Sequence, residues 1–455
     1  MELVEVKWNF PSLKCINPRC SKKFEYQWDG SVKLCPDCIR NGVRYPSKVM
    51  TQNISYWRNQ AGLPLECPRC GWIFDDHIAP CIPCLYVYLK IDWEKWTSGS
   101  QKIDEFIHKY QVKYPTIFRG CEFIDYSQLK EIQYIGEGGF AKTYKAIWMN
   151  GETREWDAEN GCWPDSKDRT VALKVFENRP GIENYVYKEL YVQSIMRHDY
   201  ICNVFGVSRD VITGAFIIVM RFAEEGSLRQ FNQLNFERIS WDVKLYLLVS
   251  LATALNIVHK LGFFHCDLHP GNILITTGDI SKKLETNLAD FGLCIRDTPS
   301  ENFPNRKLYG MIPFIAPEIL NGGIMTKEAE IYSYGMIAYE LLTGRIPFIH
   351  IQCDEETLIS KIILGLRPEF PEDMPSSVTD TINLFLHEDP SMRPTLKDVW
   401  QMFSREKLKL LEDIPQFSFS AAVNSEVSQH LNRIEDVAFP TWSDELFALD
   451  LNNYV

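Results

Sequence analysis

Residues 265–274 read HCDLHPGNIL. Asn272 lies five positions after Asp267, a Pro-Gly pair at 270–271 interrupts regular structure, and an apolar Ile-Leu pair follows. The pattern predicts a loop that carries a carboxylate and an amide into a short buried strand. Just upstream, WDVKLYLLVSLATALNIVHKLG places Leu245, Leu248, Ala252, Leu255 and Val258 at helical spacing and stops at Gly262. The loop therefore leaves a helix end and enters a strand. About 20 residues further on, LADFGL sets Asp290 after a second short apolar run. Two carboxylates and an amide delivered by adjacent loops make a divalent-metal site, although each carboxylate alone more often caps a turn.

Working outward, EIQYIGEGGFAKTYKAIW reads as strand, glycine turn, strand. Gly136, Gly138 and Gly139 let the backbone close over a phosphate chain that side chains would block. After an insertion at about 150–169, TVALKVF alternates like a half-buried strand and holds Lys174. A lysine there is costly unless it meets a charge, and Glu189 on the helix pattern ENYVYKELYVQSIMRH offers one. GAFIIVMRFAEEGSL is a buried strand ending in a polar turn.

Taken in order, the glycine loop, Ala-x-Lys, the helix Glu, H-x-D-x-x-x-x-N, Asp-Phe-Gly and Ala316-Pro317-Glu318 resemble a eukaryotic protein kinase, nearest to its tyrosine-kinase-like serine/threonine group. The resemblance covers residues 129–403. It implies an α+β bilobal fold, with a β-rich N-lobe and a helical C-lobe, that uses ATP and Mg2+. It also implies roles: Asp267 accepts the proton of the substrate hydroxyl, Asn272 and Asp290 hold magnesium, and Lys174 holds the phosphates while pairing with Glu189. Ile135, Gly136, Gly138, Gly139 and Thr143 cover the nucleotide. Ala172 and Leu274 sandwich adenine. Met220 is the gatekeeper, with Arg221 to Ala223 as the hinge. Glu318 pairs with Arg393.

Several positions depart from the family pattern. Ala141 stands for the third glycine and Thr143 for a valine. Glu330 replaces the Asp that anchors the catalytic loop, so one extra methylene must be absorbed. Cys266 replaces the Arg that binds an activation-loop phosphate, and His269 replaces the Lys that touches the transferring phosphate. The essential carboxylates and amide survive. Pro270 after His269 points to serine/threonine acceptors, whereas Met311 stands where such kinases place a Thr, which leaves dual specificity open. The rival expectations are a zinc-module adaptor whose pseudokinase fold binds ATP and partners without turnover, and a small-molecule phosphotransferase. The latter class generally lacks Ala-Pro-Glu.

Residues 1–92 are of a different kind. Cys15 and Cys20 precede Cys35 and Cys38, and Cys67 and Cys70 precede Cys81 and Cys84. Two doubled cysteine pairs with Pro and Gly in or beside the turns predict two structural Zn2+ ions, paired in sequence order or interleaved. Residues 93–128 form a helical linker, in which Ile103, Phe106, Ile107 and Tyr110 recur at helical spacing. Residues 404–455 read as an acidic tail without clear periodicity, expected to be flexible.

The whole sequence of 455 residues carries a net charge of −12, with 45% apolar and 24% charged residues and 14 cysteines. That acidity argues against nucleic-acid partners, which need clustered Lys and Arg. The N-terminus lacks a basic stretch followed by an apolar one, and the apolar run LYLLVSLATALNIV spans about 14 residues, short of a bilayer. The expectation is a soluble cytoplasmic protein that binds no membrane and acts on protein substrates, with the binder of its zinc module unknown.

Overall fold

A computed structural model describes residues 93–403 apart from 114–120, 140, 150, 152–167, 197, 278–283, 305–306 and 308, preceded by residues 13–14, 23–24, 65–66 and 73–74. The four early pieces form two antiparallel pairs. β1 (Leu13–Lys14) pairs with β2 (Lys23–Phe24), and β3 (Leu65–Glu66) pairs with β4 (Ile73–Phe74). All eight cysteines expected to hold zinc, and the tail from 404 onward, lie outside the described residues.

The chain divides into two compact units. The first takes residues up to 135 together with 144–171 and 205–219. It contains α1 (Gln101–Lys113), β5 (Glu122–Phe123), and most of β6 (Leu129–Glu137), β7 (Lys142–Trp148), β9 (Val204–Arg209) and β10 (Phe216–Arg221). These strands, with β8 (Arg169–Phe176), form one sheet in the order β5-β9-β10-β8-β7-β6. β-branched and aromatic residues dominate β8, β9 and β10, as a pleated surface favours.

The helix expected between the cysteine-rich and catalytic parts exists, and it is built into this unit. Ser98 Oγ and the backbone N–H of Ser98 both donate to Asp104, fixing the start of α1, and Ile103, Phe106, Ile107 and Tyr110 are buried along one face. Burying each such side chain is worth about 1.5–3 kcal/mol. β5 then pairs in parallel with β9, Glu122 opposite Gly206. Only glycine fits there, because a Cβ on Gly206 would come within 1.9 Å of the Glu122 carbonyl oxygen. Arg209 adds a hydrogen bond to the Ser98 carbonyl at 2.9 Å.

The second unit comprises 136–143, 172–204 and the chain from 220. Its helices are α2 (Ile182–Ile195), α3 (Leu228–Asn235), α4 (Trp241–Lys260), α5 (Pro317–Leu320), α6 (Lys327–Thr343), α7 (Glu355–Ile363), α8 (Ser376–Phe385) and α9 (Leu396–Phe403). α4 runs for 20 residues, so the apolar run has the length of a membrane span after all. It serves as a core helix, with Leu247, Leu248, Leu251, Ala252, Ala254 and Leu255 buried and the Leu248 carbonyl accepting from the hydroxyl of the enclosed Tyr334 of α6. Two small hairpins complete the unit: β11 (Phe263–Phe264) with β14 (Ile295–Arg296), and β12 (Ile273–Thr277) with β13 (Leu284–Leu288).

Candidate active site

The hairpins explain why the quoted stretch is where it is. β11 and β12 each end in paired strands, so residues 265–272 are held at both sides, and β13 and β14 do the same for residues 289–294. Between these strand ends the two loops meet. His265 is fully buried; its Nδ1 accepts from the Asp267 N–H, and its Nε2–H donates to the Ala289 carbonyl at 3.0 Å. The ring also packs on Phe291 at 4.9 Å. One histidine thus pins the Asp267 loop to the Asp290 loop.

Asn272 donates twice to Asp267, to its carbonyl at 2.9 Å and to its Oδ2 at 3.0 Å. Asp290 sits in the left-handed region at φ 63°, a conformation that turns its carboxylate back toward Lys174. Lys174 Nζ lies 2.7 Å from Glu189 Oε1 and 2.8 Å from Asp290 Oδ1. β8 supplies the lysine, α2 the glutamate and the Asp-Phe-Gly turn the aspartate, so three distant segments converge on one ammonium.

Electrostatics follow from that convergence. Burial alone would strip the proton from Lys174, but the Glu189 and Asp290 carboxylates outweigh it and keep the ammonium charged. Burial likewise lifts the Asp290 carboxyl, and the Lys174 charge and hydrogen bond overcome it, leaving Asp290 ionised below its ordinary range. Glu189, wholly buried, is pushed up to about 7 by desolvation, against the pull of Lys174.

Of the residues expected to cover the nucleotide, all but Ile135 belong to the second unit. Gly138 N–H donates to the Ala141 carbonyl at 2.9 Å to close the loop, and Cβ atoms built on Gly136, Gly138 and Gly139 would meet nothing within 4 Å. Space around the three glycines is open. Ala172 and Met220 are buried, Leu274 and Thr143 half-buried. Arg221 gives its backbone N–H to the Asn203 carbonyl and its guanidinium to the Thr277 carbonyl. Ile135 lies on β6 in the first unit and is exposed. Glu318 meets Arg393 in a two-pronged pair at 2.6 and 2.8 Å. Sequence reasoning passed over His259, which meets Glu330 at 2.6 Å, and the Gly271 N–H bond to His269; neither carries a periodic signal.

ATP and Mg2+ fit this donor set: an open glycine loop, a charged lysine, an ionised aspartate and an asparagine five residues from a second aspartate are hard oxygen and ammonium ligands for a magnesium-bound triphosphate. Among the described residues no cluster of His, Cys, Asp and Glu forms a further metal centre.

The constellation carried by the second unit is that of a phosphotransferase of the protein-kinase class. Residues 129–403 match the protein tyrosine and serine/threonine kinase family, and the chain belongs to it. It is similar to the probable serine/threonine-protein kinase roco7 of Dictyostelium discoideum, 27% identical over 84% of this chain and 14% of that protein. It is also similar to gdt2, another probable serine/threonine-protein kinase of the same organism, 27% identical over 60% of this chain and 15% of that one. The chain thus spans roughly a seventh of the length of these relatives.

Proposed function

We propose that this chain is a protein kinase of the tyrosine-kinase-like group that uses ATP and Mg2+ to phosphorylate serine and threonine hydroxyls of intracellular signalling proteins. The observation that carries the proposal is the assembled Lys174–Glu189–Asp290 cluster beside Asp267 and Asn272. A scaffold that had given up turnover has no need to keep all five.

When bound, magnesium neutralises charge on the triphosphate and so lowers the barrier to phosphoryl transfer. Asn272 and Asp290 would hold it. Lys174, charged and fixed by two carboxylates, orients the phosphates. Asp267 receives the hydroxyl proton at Oδ1, because Asn272 occupies Oδ2. Serine and threonine acceptors are supported by the probable serine/threonine kinases it resembles and by Pro270.

The zinc-bound front belongs to the same proposal. β1 and β2 flank the Cys15–Cys20 segment, and β3 and β4 flank Cys67–Cys70, the short pairing expected beside a zinc knuckle. Thiols left free at Cys202, Cys294 and Cys353 fit a reducing, cytoplasmic setting. The test is γ-phosphate transfer to generic Ser, Thr and Tyr substrates, with metal analysis of the same sample. Asp267→Asn should abolish transfer and leave nucleotide affinity within about twofold. Transfer by that variant at the parent rate would overturn the role of Asp267, and a sample without two equivalents of zinc would overturn the metal assignment.

A further inference from the structure

Met311 stands between a cation and a pocket. Its carbonyl accepts the Phe314 N–H at 2.9 Å, which fixes the backbone at the entrance to the 3-10 turn Ile312–Phe314. Its sulfur accepts from Arg229 Nη1 at 3.6 Å, a weak bond that uses one of the two lone pairs of the thioether. Arg229 is itself held. Its Nε and Nη2 donate to the two oxygens of Glu340 at 2.9 and 3.0 Å, its guanidinium lies over the Phe314 ring at 5.6 Å, and Glu340 is buried on α6. One side of the thioether therefore faces a fixed cation.

The same side chain is part of a pocket wall. Asp267, Met311, Phe314, Ile319 and Met325 line one pocket, so a chemical change at Met311 is made beside the carboxylate that receives the hydroxyl proton. Met311 is also accessible: it is 37% exposed, whereas Met196, Met220 and Met336 are at most 7% exposed. Met392 is more exposed still, at 58%, but it lies in the turn Pro390–Met392 and does not line the pocket. Oxidation turns methionine from a flexible apolar side chain into a polar one, and sulfoxide reductases reverse the change.

We propose that Met311 is a reversible oxidation site that lowers phosphoryl transfer by making the pocket wall beside Asp267 polar. Hydrogen peroxide gives one oxygen to the sulfur as its O–O bond breaks, and the other oxygen leaves as water; the sulfur loses two electrons and the peroxide gains them. The new oxygen is a strong acceptor for Arg229, replacing a weak one. Acceptor chains that bury apolar groups against this wall then bind less well. A sulfoxide reductase returns the oxygen to water while two thiols of the reductant become a disulfide. The effect on transfer rests on the kinase reading above; the oxidation itself does not.

The test treats the full chain with hydrogen peroxide and follows both the mass of the peptide holding residue 311 and transfer to dephosphorylated casein. That peptide gains one oxygen, and kcat/KM falls about fivefold, equivalent to about 1 kcal/mol. Dithiothreitol restores oxidised thiols, that of Cys266 in the same pocket included, and leaves the loss in place. Methionine sulfoxide reductase removes it. Relative to its own untreated rate, Met311→Leu loses less than about twofold, while Met392→Leu responds as the parent does. Met311→Gln, which carries a polar group of similar length, shows the loss without peroxide. No added oxygen at Met311, a full loss in Met311→Leu, or recovery with dithiothreitol alone overturns the proposal, and parent-like transfer by Met311→Gln overturns its effect on the pocket. A chain that transfers no phosphate before treatment overturns the kinase reading and the effect on transfer with it, while the mass change and its removal by the reductase still decide the site.

Discussion

Glu330 Oε1 accepts the Cys266 N–H at 2.9 Å while its Oε2 meets His259 Nε2 at 2.6 Å, all three groups buried or nearly so. The extra methylene relative to aspartate is absorbed by giving the carboxylate a second partner on α4. Cys266 meanwhile adopts φ 66°, a strained value for a residue with a Cβ. Glu330 thus holds the backbone just before Asp267.

Replacing that side chain should be expensive. Glu330→Ala leaves a buried N–H and a buried imidazole nitrogen without partners, each worth about 1–3 kcal/mol, so a loss of about 3 kcal/mol in urea unfolding is expected. Glu330→Asp is too short to reach both partners and should lose roughly half as much, with a fall in kcat. An aspartate variant as stable as the parent would mean that the two bonds do not depend on reach.

The packing of α1 and β5 makes a prediction about where the catalytic body begins. The family match starts at 129, yet Ile103 and Ile107 are fully buried and β5 forms the sheet edge beside β9. A chain cut at 129 exposes that face and leaves β9 an unpaired edge. Residues 129–403 should therefore aggregate or melt well below residues 93–403, and Ile107→Asp in the full chain should cost more than about 3 kcal/mol by placing a charge in an apolar site. Equal melting temperatures for the two fragments would sink this reading.

These elements also mark what the sequence made readable. The loops of residues 265–274 and 290–292 were legible because their chemistry needs fixed residue types at fixed spacings, and the hairpins merely deliver them. The helical face of α1 was legible from period alone, but its role was not. A pattern reports which side is apolar and is silent about which partner covers it, so the pairing of Glu122 with Gly206 had no sequence signal. The same holds for His259 with Glu330, 71 residues apart. α4 misled in the other direction: its Ser, Thr and Asn shortened the apparent apolar run, although Thr253 simply returns its hydroxyl to the Val249 carbonyl inside the helix.

A buried cation supplies a pH-dependent prediction. Lys244 of α4 is nearly enclosed, its ammonium 3.5 Å from the centroid of the Phe236 ring. Burial brings it down to about 8, against the opposing charge of Glu237. Because the folded state binds this proton less tightly than the unfolded state, the penalty is complete below pH 8 and disappears as pH rises toward the ordinary lysine value. Lys244→Met should then raise Tm at pH 7 by a few degrees, about 1 kcal/mol, with the gain shrinking by pH 10. A lower Tm at pH 7 would show that the cation–ring attraction outweighs desolvation.

The activation segment carries the last prediction. Where an arginine precedes the catalytic aspartate, its buried guanidinium needs an activation-loop phosphate to neutralise it. Here Cys266 occupies that place, and its thiol donates to the Phe264 carbonyl at 3.7 Å, a demand met without phosphate. Thr298 and Ser300, with hydroxyls 3.1 Å apart, and the exposed Tyr309 are the acceptors the segment offers. Arg296 could have read a phosphate, but its Nη2 donates to the Tyr191 hydroxyl at 2.8 Å and its guanidinium lies over the Phe263 ring; Arg306 is outside the described residues. Phosphatase treatment, and a Thr298→Ala/Ser300→Ala double variant, should change the transfer rate by less than about threefold, leaving regulation to the N-terminal region or a partner. A tenfold loss in either measurement, about 1.4 kcal/mol, would show that a phosphate is read here and that Arg296 gives up its bond to Tyr191 to read it.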